Sequence, residues 1–113
     1  WPLEIHLLPH RHMHDLADLS DDEKDELAPL YLSLVRSLDA IYDSPTPYIA
    51  AWHQAPVHQS RVSVRLMLQI TSPRRHADKL KYLAGSETAM GAFIADVTPE
   101  RQADLIRSTG LFG

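Results

Sequence analysis

The sequence predicts an α+β domain with a mainly antiparallel sheet of about four or five strands, one long helix and a short C-terminal helix. Three observations predict it. From Arg61 to Thr71, Val62, Val64, Leu66, Leu68 and Ile70 alternate with Arg61, Ser63, Arg65, Met67, Gln69 and Thr71. From Ser20 to Tyr42 the apolar residues follow helical spacing behind a capping sequence. Along the whole chain the order is strand, long helix, several strands, short helix.

The elements follow in order. Leu3–Leu8 is a short apolar run closed by Pro9, and reads as a strand. His10, His12 and His14 alternate in the loop after it. A metal set is one reading of that trio; solvated imidazoles, with His12 packing at the strand-to-helix junction, are the blander one. Ser20-Asp21-Asp22-Glu23 is a capping box, and its acidic residues suit the positive end of the helix dipole. Leu27, Leu30, Tyr31, Leu34, Val35, Leu38, Ile41 and Tyr42 then mark one buried helix face. Pro29 interrupts that pattern and predicts a bend near Lys24 to Leu27. Asp43-Ser44-Pro45-Thr46-Pro47 forces a loop.

Tyr48–Trp52 reads as the second strand and the alternating stretch as the third, ending at Ser72-Pro73. The third strand should bury one face and present Ser63, Arg65, Met67, Gln69 and Thr71 on the other. That polar row holds no nucleophile with a base beside it. Lys79–Gly85 reads as a fourth strand after the basic cluster Arg74-Arg75-His76, and Ser86–Phe93 as irregular or helical. Thr98-Pro99-Glu100 starts a final helix that should reach about Ser108.

Length and composition fit one domain over residues 1–113, with apolar residues at 44% and charged residues at 23%. The net charge of −4 lacks the basic balance of a duplex nucleic-acid binder. Without cysteine there is neither a disulfide framework nor a thiolate metal site, in keeping with a cytoplasmic setting. No apolar run approaches the roughly 18 residues that cross a bilayer, and none of these residues reads as a signal peptide. The opening Trp1-Pro2-Leu3-Glu4-Ile5 reads as the middle of a longer chain.

A family resemblance adds to this reading. Trp1-Pro2-x-Glu4, Pro9 with His12, the capped helix, Tyr48-x-x-x-Trp52-His53-x-Ala55-Pro56 and Lys81-x-x-x-Gly85-x-Glu87 occur in that order. Together they resemble the C-terminal half of galactose-1-phosphate uridylyltransferases, over nearly the whole chain to about Ser108. Lys79–Glu87 and Gly91–Ile94 look closest to the actinobacterial type. Those enzymes look like two fused histidine-triad domains, so the resemblance implies a histidine-triad-like fold. It also implies transfer of UMP between UDP-glucose and a hexose 1-phosphate through a uridylyl-histidine. In the family the nucleophile lies in a His-Pro-His motif of the N-terminal half, and this chain contains no such motif. The expected partner is therefore an N-terminal half bearing His-Pro-His, in a homo- or hetero-oligomer such as a dimer.

The resemblance assigns substrate contacts to Lys81, Ala84, Gly85, Ser86 and Glu87. In the family this segment reaches into the active site of the neighbouring subunit. Lys81 would hold the sugar phosphate as a point charge. The backbone at Ala84 and Gly85 would approach the sugar, and Glu87 would accept from its hydroxyls. Ser86 departs from an aromatic residue, and Phe93 from a glutamine, found in some members. Without the resemblance, Lys81 and Glu87 read as an ordinary surface pair.

The family's degenerate triad falls on Arg65, Met67 and Gln69, where some members place ligands of a structural zinc or iron. His53 matches a further ligand. One imidazole does not hold an ion that wants about four ligands, and Arg65 would repel it; His53 otherwise reads as a hydrogen-bonded structural residue. Two functions compete: the accessory half of a uridylyltransferase, and a non-catalytic histidine-triad-like module for association or ligand binding. A free-standing histidine-triad hydrolase is opposed by Arg65, Met67 and Gln69.

Overall fold

A computed structural model describes residues 1–111. Its elements are β1 (Leu3–Leu7), α1 (Asp21–Ile41), β2 (Ile49–His53), β3 (Met67–Ser72), β4 (Arg74–His76), β5 (Lys79–Leu80), α2 (Gly85–Met90) and α3 (Pro99–Arg107). β3 lies between β1 and β2 in an antiparallel sheet, while β4 and β5 form a separate antiparallel ribbon. The expected antiparallel character holds, with the five strands divided between two sheets.

The capping box forms as the sequence dictates: Ser20 Oγ accepts from the Glu23 N–H at 3.2 Å, and the Ser20 N–H donates to Glu23 Oε2 at 2.8 Å. Arg11 also donates to Glu23, and with the Ser20 N–H it holds that carboxyl down to about 2. α1 runs on through Pro29 to Ile41. Its inner stripe, Leu34 and Leu38, packs on Leu3 of β1 and on Leu68 and Ile70 of β3. Ile5, Leu7, Tyr31, Ile41 and Trp52 close around this cluster.

The third strand is shorter than its alternation predicts. Met67–Ser72 keeps the two-residue burial rhythm, with Leu68, Ile70 and Ser72 inside. Arg61–Leu66 is not strand, and Val62 is 82% exposed. The reason is the absence of a ladder partner. β1 stops at Leu7 ahead of Pro9, and β2 ends where His53 pairs with Met67, ahead of Pro56. A strand needs neighbours for its backbone groups. Upstream of Met67 the chain instead turns, with the Val64 N–H on Arg61 O and the Leu66 N–H on Met13 O. Arg65, expected on the open face of the sheet, therefore lies outside it and donates to the carbonyls of Pro9 and His10.

The expected fourth strand also contracts, to Lys79–Leu80. The Lys81 N–H bonds to Pro73 O, after which Tyr82–Ala84 leave the ribbon and Gly85 opens α2 rather than closing a strand. The reason lies in the side chains of Lys81 and Glu87, which turn inward and are described below. α3 starts where the sequence places it: Thr98 Oγ1 accepts from the Arg101 N–H, with Pro99 in the first turn. Its Gln102 amide takes up the outer edge of β1, accepting from the Glu4 N–H at 3.0 Å and donating to Trp1 O at 3.2 Å. No helix among the described residues is long and apolar enough to cross a membrane.

Candidate functional site

The loop between β5 and α3 holds the residues to which the resemblance assigns substrate contacts. Lys81 and Glu87 are not the surface pair that their composition suggests. Lys81 is 8% exposed and Glu87 4%. Lys81 Nζ lies 2.8 Å from Glu87 Oε2 and donates to Ile94 O at 2.6 Å. Glu87 Oε1 accepts from the Ala84 N–H at 2.9 Å, and Oε2 from the Ile94 N–H at 3.2 Å. The pair thus clamps both backbone groups of Ile94 and one of Ala84. Lys81 above all, with these two N–H groups, holds the Glu87 carboxyl at about 2. Buried ions need such pairing and hydrogen bonding to be tolerated.

The clamp shapes what faces outward. Ala84 is half-buried, and Gly85 and Ser86 are exposed at the start of α2. Gly91 ends α2 with φ +64°, a left-handed position that suits glycine. Around it Tyr82, Leu83, Met90, Phe93 and Ile94 leave apolar surface in solvent, Tyr82 at 84% and Met90 at 80% exposure. The structure therefore brings Lys81, Ala84 and Glu87 together and sets Gly85 and Ser86 on the rim. Ile94, whose backbone completes the clamp, receives no site role from the sequence. Its hydrophobic side chain gives no hint of a polar role played by its main chain.

The candidate metal position is built on the open face of the sheet. His53 sits opposite Met67 in the β2–β3 register. Its Nε2 lies 2.9 Å from Gln69 Oε1, and Gln69 Nε2 donates to Glu4 Oε1 at 2.8 Å. Arg65 points to the loop after β1, and Met67 supplies only a thioether. The residues present do not fit zinc or iron: the His53 imidazole and the Glu4 carboxylate are held apart at opposite ends of the Gln69 amide, Glu4 also faces His6, and the Met67 thioether is a poor ligand, where such an ion wants about four converging nitrogen, oxygen or thiolate donors. Among the described residues no three His, Cys, Asp or Glu side chains converge as a metal set. In the His10, His12, His14 loop, the His12 and His14 rings meet edge to face at 5.0 Å, and His14 lies 3.4 Å from Asp18.

An apolar cavity of about 290 Å³ lies between α1 and the near ends of β1 and β2, among Leu7, Met13, Leu27, Leu30, Trp52 and Leu66, with Glu23 and Arg11 at its edge. It contains none of the residues assigned to substrate.

Comparison with known proteins gives this geometry its family. Residues 1–109 match the family described as galactose-1-phosphate uridyl transferase, C-terminal domain. A galactose-1-phosphate uridylyltransferase of Thermotoga maritima is 35% identical across 96% of this chain, which covers 35% of that protein. One from Streptomyces lividans is 37% identical across 95% of the chain and 33% of its own length. A solved structure of a uridylyltransferase superposes with a TM-score of 0.89 at 35% identity, over 96% of this chain and 35% of that one. The chain thus spans about a third of the length of these relatives. With a match over nearly all its residues, the chain belongs to the galactose-1-phosphate uridyl transferase C-terminal domain family.

Proposed function

We propose that this chain is the C-terminal part of a UDP-glucose–hexose-1-phosphate uridylyltransferase of galactose metabolism, and that it works with an N-terminal half carrying the His-Pro-His nucleophile. The observation that carries the reading is the near-complete match to the C-terminal domain family by a chain that holds no His-Pro-His sequence. The shape supports it too. The radius of gyration is 16.0 Å, against about 13 Å for a compact domain of this length. The apolar surface around Tyr82, Met90 and Phe93 suits an oligomeric assembly, a dimer or hetero-oligomer, in the cytoplasm.

In this reading the loop from Lys81 to Glu87 meets the sugar phosphate. Gly85 and Ser86 offer exposed backbone for close approach. Lys81 has three N–H donors, of which two are spent on Glu87 and Ile94, leaving one for a phosphate oxygen. Glu87 reaches sugar hydroxyls only if the clamp loosens when the partner half docks. The Glu87 carboxylate, paired with Lys81 and bonded to the Ala84 and Ile94 N–H groups, favours a second reading, a histidine-triad-like association module in which the clamp is purely structural.

Reconstitution separates the two. Mixed with a His-Pro-His half, the chain should support UMP transfer from UDP-glucose to galactose 1-phosphate. Glu87→Ala should cut turnover at least tenfold, on the scale of one lost charge-assisted hydrogen bond. Complex formation without turnover, or turnover indifferent to Glu87→Ala, speaks for the second reading.

A further inference from the structure

A row of hydrogen-bonded side chains crosses the open face of the sheet from one edge strand to the other. His6 and Glu4 stand on β1, Gln69 on β3 and His53 on β2. Glu4 Oε1 is the common acceptor, facing His6 Nε2 at 2.9 Å and Gln69 Nε2 at 2.8 Å. A carboxylate only accepts, and an amide has a donating and an accepting end. Glu4 therefore fixes the orientation of Gln69, because the reversed amide would set oxygen against oxygen. Gln69 Oε1 is left facing His53 Nε2 at 2.9 Å. Since that oxygen only accepts, His53 carries its proton on Nε2.

We infer that Gln69 bridges Glu4 and His53 in place of a metal ion, so that this chain ties its three-stranded sheet together without a bound cation. The His53 nitrogen that faces the centre of the row carries a proton and has no lone pair to give. The amide already makes one bond at each end, to opposite edge strands. Met67, facing His53 in register, is a soft donor unsuited to replacing a nitrogen or oxygen ligand of zinc or iron. The inference concerns the sheet alone and does not depend on the uridylyl-transfer reading.

Gln69→Glu distinguishes the two arrangements. It keeps the length of the side chain, removes the N–H donors and turns a second carboxylate toward Glu4. A metal-free bridge predicts that the thermal midpoint at pH 7 falls by roughly 4–8 °C, with or without added zinc or ferrous ion. A metal-held face predicts the reverse, because the variant offers an added oxygen ligand and the midpoint rises with the ion. Two measurements on the unaltered chain do not rely on the variant folding. Dialysis against a chelator should leave the midpoint unchanged, and nitrogen-15 NMR should show His53 protonated on Nε2. A stoichiometric zinc or iron whose removal lowers the midpoint, or an unprotonated Nε2, overturns the inference.

Discussion

Lys81→Met opens the segment from Tyr82 to Ile94, and protease cuts it on the order of a hundredfold faster than in the unaltered chain. The substitution keeps most of the aliphatic volume and removes the ammonium. Glu87 is then left as a buried carboxylate with two backbone N–H partners and no counter-charge. Removing one member of a buried pair costs far more than removing both, because the survivor remains desolvated and charged. The double variant Lys81→Met with Glu87→Gln should recover most of the protection. Limited proteolysis with mass mapping of the cut sites reads this directly. Equal cutting of the single variant and the unaltered chain would show that the clamp does not hold the loop.

The same pair sets an acid dependence. The Glu87 carboxyl is lowered from an ordinary 4.5 to about 2, first by Lys81 and then by the Ala84 and Ile94 N–H groups. A lowered folded-state pKa contributes stability that is fully present above 4.5 and is lost as pH falls toward 2. Loop opening, followed by hydrogen exchange of the Ala84 and Ile94 amides, should therefore rise across that window. In Glu87→Gln the rise should flatten. Glu23, held low by Arg11 and Ser20, acts in the same direction over the same range at the start of α1. Global acid unfolding should consequently keep a slope in Glu87→Gln, while the loop loses its own.

Leu68→Ala should cost about 2–5 kcal/mol, a large part of the roughly 5–15 kcal/mol that stabilises a domain. Leu68 is fully buried near the start of β3, opposite Leu7 on one side and Trp52 on the other, in one cluster with Leu34 and Leu38. Val62→Ala, six residues earlier in the same alternating stretch, should change stability by no more than about 0.5 kcal/mol. Chemical denaturation of both variants checks the contrast. Comparable losses would mean that Arg61–Leu66 is strand after all.

That contrast also shows what the amino-acid sequence made legible. Period-two alternation states which residues can share a face, and Leu68 and Ile70 do share the buried one. It does not state where the neighbouring strands end. Pro9 and Pro56, remote in sequence, decide that Val62 and Val64 have nothing to pair with. Local signals fared better: Ser20 and Thr98 cap their helices within one turn of themselves. The candidate loop lies between these cases. Lys81, Gly85 and Glu87 stand out through family resemblance, yet nothing in their spacing shows that Ile94 completes a buried clamp. The row through Glu4, His6, Gln69 and His53 likewise needs the register of three strands, which no single stretch contains.

The central proposal is that this chain carries no reactive imidazole of its own and works with an N-terminal half that bears the nucleophile. Its most direct test is the intact mass of the purified chain after incubation with UDP-glucose, alone and with a His-Pro-His half. The account predicts an unmodified mass for this chain in both cases, with the UMP adduct appearing only on the partner. A covalent uridylyl group on any of its seven histidines would contradict it.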